Sequence, residues 1–186
     1  MQKEDAHIIE RVLGGDVKPF GLLLGRYAGG VRRFIGRMVA NAEDAEELTQ
    51  NVFLKAYRHL ATFDAGKGAF GAWLNRIAYH EAIDFLRTKP SMEMLPMDDG
   101  QADGDWETEF PFEDAGSERV ELLRKAVLAL PAQDRMLVHM YYTDGLPLRD
   151  IAYVLDRQPD YLATRLQRIR KRLYTTIKRL EQHETK

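Results

Sequence analysis

Seven bases stand on one stretch of chain with no acid between the first and the last: Arg165, Arg168, Arg170, Lys171, Arg172, Lys178 and Arg179. Interleaved with them, Leu162, Leu166, Ile169 and Leu173 repeat at steps of four, three and four. A helix through this segment therefore has one apolar face to bury and a basic remainder. Guanidinium and ammonium groups so placed can hold phosphates and read base edges, which is the chemistry of duplex DNA binding. The competing reading is a solvated basic face, since helices often end in Lys and Arg for dipole reasons.

Other residue types that could do chemistry do not assemble into a motif. Gly66 and Lys67 lack the glycine-rich approach and the following Ser/Thr of a phosphate loop. His80 and Glu81 open like a zinc-protease helix, yet Asp84 stands where the second histidine is required, and His7, His59, His139 and His183 are scattered. The chain has no cysteine, which excludes disulfides, thiolate metal sites and cysteine nucleophiles. No set of acids, bases and nucleophiles stands out, so an enzyme is not expected, nor is a metal or cofactor.

The elements that must position the basic run are helical throughout. Ahead of it, Leu148, Ile151, Ala152 and Leu155 describe a two-turn helix, residues 156–158 a tight connection, and Pro159 the first position of the next helix. Short helix, short turn and longer helix is the helix-turn-helix arrangement. Upstream, Val120, Leu123, Val127 and Leu130 form a stripe ended by Pro131, and residues 134–142 a helix with Met136, Leu137, Met140 and Tyr141 as core, closed by a turn at 143–145.

In the first half, residues 41–60 carry a stripe of Ala45, Leu48, Val52, Phe53, Ala56, Tyr57 and Leu60, with Asn41 as N-cap and Glu43 and Asp44 over the first-turn amides. Residues 20–39 supply a second helix weakened by Gly25, Gly29, Gly30 and Gly36, which either permit close helix crossing or kink it. A short helix around Ile8, Ile9, Val12 and Leu13 stops at Gly14. A further one over about 69–87 carries Phe70, Trp73, Leu74, Ile77 and Leu86, with Trp73 on the buried face. The expected fold is all-α, two small helical domains.

At 186 residues, the chain fits one medium or two small domains, and its 45% apolar and 30% charged composition suits a folded protein. The net charge of −2 conceals a division. Residues 1–90 have 13 Lys/Arg against 11 Asp/Glu, residues 91–118 have ten acids and no base, and residues 119–186 have 14 bases against 8 acids. Two bodies, 1–88 and 117–186, joined by an acidic linker at 89–116, are expected. The linker also holds Met92, Met94, Leu95, Trp106, Phe110 and Phe112, so it is read either as a strap lying on its own domains or as docking segments for a partner. No apolar run has the length of a signal sequence or bilayer span.

Four words of the sequence carry a resemblance. They are EDAEELTQNVFLKAYRHLATF at 43–63, FGAWLNRIAYHEAIDFLR at 70–87, LPAQDR at 130–135, and GLPLRDIAYVL at 145–155 followed by YLATRLQRIRKRL at 161–173. In this order, with a linker between the second and third, they resemble the extracytoplasmic-function (group IV) sigma factors of bacterial RNA polymerase.

The resemblance implies a cytoplasmic, non-enzymatic specificity factor whose first domain binds polymerase and opens the promoter at its upstream edge, and whose second reads a duplex element farther upstream. It places Asp44, Glu47, Leu48, Gln50, Asn51, Phe53, Lys55, Ala56 and Arg58 on the helix that docks on the beta-prime clamp. Among these, the stripe makes internal packing the expected role of Leu48 and Phe53. It implies contact with an extruded promoter base and its strand at Phe63, Asp64, Lys67, Phe70, Arg76, His80 and Arg87. Contact with the duplex element is implied at Tyr161, Ala163, Thr164, Arg165, Arg168, Lys171 and Arg172, with Arg165 expected at a base edge. The acidic linker resembles a thread through basic polymerase channels.

The implied partners are core RNA polymerase (beta-prime clamp and beta flap), promoter DNA and an anti-sigma factor. A polymerase-independent helix-turn-helix regulator and a sigma-like decoy of an anti-sigma protein are the alternatives. The chain departs from the family pattern at His80 (usually Asn), Pro147 (Ser/Thr), Asp156 (Gly), Tyr161 and Ala163. Asp156 is expected to carry the turn in the left-handed conformation.

Overall fold

The computed structural model describes residues 2–88 and 117–184, and all regular structure among them is helical. The expected linker, 89–116, lies outside the described residues, save that the second body begins at 117 with a helix. The helices are α1 (Gln2–Leu13), α2 (Phe20–Gly36), α3 (Ala42–Arg58), α4 (Phe70–Thr88), α5 (Ser117–Leu128), α6 (Ala132–Val138), α7 (Leu148–Leu155) and α8 (Pro159–Glu184). They form two compact units. One is built on α1–α4 and includes Arg149–Arg157; the other is built on α5, α6 and α8. The first unit thus takes in α7, which the sequence had assigned to the second body.

In the first unit α2, α3 and α4 pack on one another. The stripe of α3 is buried as expected at Ala45, Leu48, Val52, Phe53 and Ala56, whereas Tyr57 is 40% exposed, its ring edge-on to Phe20 at 5.2 Å. Asn41 caps α3, its side chain accepting from the Glu43 and Asp44 amides at 2.8 and 2.9 Å. Helix α2 is continuous through its glycines, and a Cβ added at Gly25, Gly30 or Gly36 would meet nothing within 4 Å. Close crossing is therefore not their role. That need falls on Gly71, where a Cβ would come within 3.1 Å of the Tyr27 ring, because α4 begins against α2 at this point.

A buried carboxylate joins α1 to α2. Asp5 is 3% exposed; it is ion-paired to Arg26 and accepts the Tyr27 hydroxyl at 2.6 Å. Burial, and then the bond to Asp5, pushes the Tyr27 phenol up to about 12, so it remains a donor at neutral pH.

In the second unit α5 and α6 pack on α8, which buries Leu162, Leu166, Ile169, Leu173 and Ile177. Of the stripe foreseen for α5, Leu130 is buried as expected, and the rest is turned by one position. Leu122, Ala126 and Leu130 are buried, Leu123 and Val127 are half-buried, and Val120 is 55% exposed. One residue is about 100° of helix, and the small Ala126 is the side chain presented inward. The helix foreseen over 134–142 begins at Ala132 and passes after Val138 into a single π turn, His139–Thr143, with the Asp144 amide reaching the His139 carbonyl at 2.9 Å. Arg135 donates to the Leu128 and Leu130 carbonyls at 3.0 and 3.4 Å, satisfying the end of α5.

Helix α7 ends as the sequence indicates. Asp156 is left-handed, with φ of 56°, and the Arg157 amide bonds the Ala152 carbonyl at 3.1 Å, the six-to-one bond of a Schellman end. Pro159 then opens α8.

Replacing Asn41 by Ala removes the acceptor for two first-turn amides of α3. A loss of about 1 kcal/mol is expected in denaturant unfolding of the full chain, and an unchanged midpoint would show that the cap contributes nothing.

Candidate polymerase and nucleic-acid interfaces

Helix α3 separates its expected partner-facing residues into two sets. Leu48 and Phe53 are 6% and 4% exposed, so they pack the core, as the stripe indicated. Glu47, Gln50, Asn51 and Arg58 are exposed, and Asp44 is half-buried. Lys55 donates to Glu81 of α4 at 2.5 Å, a bond between helices of the same unit. Leu54, 56% exposed, and Tyr57 add apolar surface to this outer side. Sequence reasoning missed Leu54 because it lies off the stripe, and misplaced Tyr57 because it lies at the stripe's edge.

The segment before α4 is organised by aromatic packing. Phe63 is half-buried, edge-on to Phe70 at 5.3 Å and tilted against Trp73 at 5.7 Å, while Phe70 also meets Tyr27 at 5.5 Å. Phe70 is 2% exposed and Trp73 7% exposed. The ring of Phe70 thus supports Phe63 rather than offering a stacking face. The Asp64 carboxylate accepts the Gly66 amide at 2.9 Å, which closes the turn, and lies 3.8 Å from Lys67.

On α4, Arg76 is engaged within the unit. It donates to the Tyr153 carbonyl at 3.0 Å and to Asp156 at 2.8 Å, with its guanidinium 5.3 Å from the Tyr153 ring centre. This set of contacts accounts for the place of Arg149–Arg157 in the first unit. His80 is half-buried, and burial lowers its basicity. The Asp156 and Asp84 carboxylates oppose that shift, while Arg76 and Arg157 reinforce it. Its imidazole is neutral at pH 7 and offers a hydrogen bond or a ring face rather than a charge. Arg87 is exposed, 3.3 Å from Asp84 one turn earlier.

Helix α8 gives the least expected result. Arg165 is turned inward, donating through Nε and a terminal nitrogen to both oxygens of Asp134 at 2.7 and 3.0 Å. The two side chains are 11% and 3% exposed, and Arg172 stands 3.7 Å from the same carboxylate. A bidentate pair of this kind is strong and directional, and it removes Arg165 from the base-reading role expected for it. Asp134 lies 31 residues away in sequence, so no local pattern announces the pair. Arg170 donates to the Tyr142 hydroxyl at 2.6 Å. Thr164 and Lys171 are exposed, and Tyr161, Ala163 and Arg168 are half-buried.

Among the described residues no group of three or more His, Cys, Asp or Glu could hold a metal ion, and no helix is long and apolar enough to cross a membrane.

Comparison with known proteins bears on both units. A family model described as Sigma-70 region 2 matches residues 23–90, and one described as Sigma-70, region 4 matches 121–173. The chain is 30% identical over 177 residues to the RNA polymerase sigma-H factor of Pseudomonas aeruginosa, covering 91% of each chain. It is likewise 30% identical over 187 residues to the ECF RNA polymerase sigma-E factor of Escherichia coli, covering 96% of this chain and 97% of that one. The chain is an extracytoplasmic-function sigma factor. A solved structure of the sigma factor RpoE from Bartonella quintana is similar in fold, with a TM-score of 0.58 and 21% identity over 87% of this chain and 98% of that one. As a sigma factor the protein serves core RNA polymerase in promoter recognition and is not itself an enzyme.

Two outcomes are expected from this geometry. Asp134→Ala leaves Arg165 charged and unpaired in the core of the sigma factor's second unit, and should cost about 3–5 kcal/mol in unfolding experiments. Replacing Asp134 and Arg165 together by Leu and Met should cost far less, and equal losses in the single and double variants would mean that the pair is not the cause.

The second outcome concerns pH. Because folding depresses the His80 pKa, the unfolded chain binds the proton more readily, and stability falls as pH drops through the ordinary histidine range. His80→Asn should therefore lose less melting temperature than the parent between pH 7.5 and 5.5, and parallel curves would remove His80 as the source.

Proposed function

We propose that this sigma factor docks on the polymerase clamp through the exposed side of α3, opens the promoter at its upstream edge with residues 63–68 and α4, and reads an upstream duplex element with α8. The observation that carries this reading is the exposure of α3. Leu48 and Phe53 serve the core while Glu47, Gln50, Asn51 and Arg58 remain outward around Leu54 and Tyr57. A polar rim around a small apolar spot suits a reversible protein interface.

At the promoter edge, the half-buried Phe63, held edge-on by Phe70 and tilted against Trp73, suits stacking on an unpaired base. Asp64 and Lys67 supply polar contacts in the same segment, His80 and Arg87 offer further ones along α4, and Arg76 joins them on leaving Asp156. The duplex-facing set on α8 is Tyr161, Ala163, Thr164, Arg168, Lys171 and Arg172, with Arg165 acting as a positioning residue through Asp134. The two units work as two bodies, the first including Arg149–Arg157, and the ten acids of residues 91–118 gain electrostatically from basic polymerase channels. An anti-sigma factor is a further partner. The support is the fold shared with Bartonella RpoE, whose structure was solved in complex with the anti-sigma factor NepR.

The test is run-off transcription with core polymerase on a promoter library. A defined start site that depends on the added chain is expected, and duplex binding without any start would favour a polymerase-independent regulator. In the same assay, reversing the charges of Glu47 and Arg58 together should reduce core binding at least tenfold while leaving helicity unchanged, because exposed charges add little to folding but steer a matched interface. Equal retention of the double variant on immobilised core would exclude these two residues from the contact.

A further inference from the structure

We propose that Gln167 is the adenine-reading residue of α8. The inference deepens the duplex-reading role proposed above and rests on it. Leu162, Leu166, Ile169 and Leu173 set the buried line of the helix. At about 100° per residue, the side opposite that line through the first turns holds Asp160, Thr164, Gln167, Arg168 and Lys171. Arg165 lies on the flank, where Asp134 holds it at two points. That pair fixes the rotation of α8 and thereby which side chains point outward.

Within this outward set Gln167 has a distinct chemistry. It is exposed, and no hydrogen bond or ion pair engages it among the described residues. Thr164, one turn earlier, donates its hydroxyl to the Asp160 carbonyl at 3.1 Å, which leaves its methyl as the group to offer a base edge. Lysine and arginine favour the paired acceptors of guanine or a phosphate. A primary amide carries one acceptor and one donor side by side, which matches the amino group and ring nitrogen of adenine in the major groove. Against guanine the same amide sets its oxygen against a second acceptor. The Thr164 methyl, a turn away, suits the methyl of a thymine. The outward surface of α8 therefore favours an A·T pair at the position below Gln167, where an arginine in its place would favour guanine.

The experiment uses holoenzyme assembled from core polymerase and the full chain. Promoter duplexes randomised across the upstream element are selected for binding and sequenced, and run-off transcription is measured in parallel. The parent should select adenine at one position. Gln167→Ala should lower the preference for adenine there by about tenfold to a hundredfold and leave the other positions as they were. Gln167→Arg should move the preferred base to guanine. If Gln167→Ala selects the parental sequence, or weakens all sequences alike, the assignment is overturned while the sigma reading stands. If the parent selects no sequence and yields no start site, the reading on which the assignment rests has failed. Circular dichroism and retention on core confirm that both variants fold.

Discussion

A single buried carboxylate organises the second unit. Asp134 sits 3% exposed in an otherwise apolar core, where an ionised group without partners would cost several kcal/mol. The guanidinium of Arg165 meets both its oxygens, and Arg172, two turns farther along α8, approaches the same group. Hydrophobic contact alone tolerates sliding and rotation of a helix by several degrees. A bidentate pair does not, because both bonds lengthen at once. The core line of leucines and isoleucine decides that α8 packs, and Asp134 decides at which angle and height.

The first unit uses the same device at its other end. Asp5 draws Arg26 and Tyr27 of α2 to α1, and the Tyr27 ring then rests on Phe70 at the start of α4. Gly71 lets α4 approach that ring, and Phe70, edge-on, and Trp73, tilted, in turn hold Phe63 at the start of the 63–68 segment. The placement of Phe63 thus descends through three contacts from a carboxylate in α1. Exposed side chains such as Asp64 and Lys67 are left to a short turn whose shape comes from the Asp64 carboxylate accepting the Gly66 amide.

Periodicity made the helices legible, along with most of the core. The spacing of Leu162, Leu166, Ile169 and Leu173 sufficed for the buried face of α8, Asn41 for the start of α3, and Asp156 for a left-handed turn, because each is a local consequence of residue type. The α5 stripe failed for an equally physical reason. Its two adjacent apolar lines are interchangeable by pattern, and the Leu122–Ala126 line becomes the buried one only where α5 packs on α8. The inward turn of Arg165 was illegible because its partner is remote in sequence, and every guanidinium in a basic run looks alike until an acid claims one. The contacts of Arg76 with Tyr153 and Asp156 escaped notice for the same reason.

The internal use of arginines changes what the outer surface of α8 has to work with. Of the bases between 165 and 179, Arg165 and Arg172 lie against Asp134, and Arg170 bonds Tyr142. Counting bases overstates the groups available to phosphates, and a helix with less outward charge has less sequence-blind affinity. On the proposed reading, recognition then leans more on neutral groups such as the Thr164 methyl and the Gln167 amide. Such groups discriminate by geometry, and a displacement of an ångström forfeits most of what they contribute. A helix that reads DNA in this way requires a fixed rotation more than one that grips by charge. The buried pair that withdraws the Arg165 guanidinium from the surface is also what supplies that rotation.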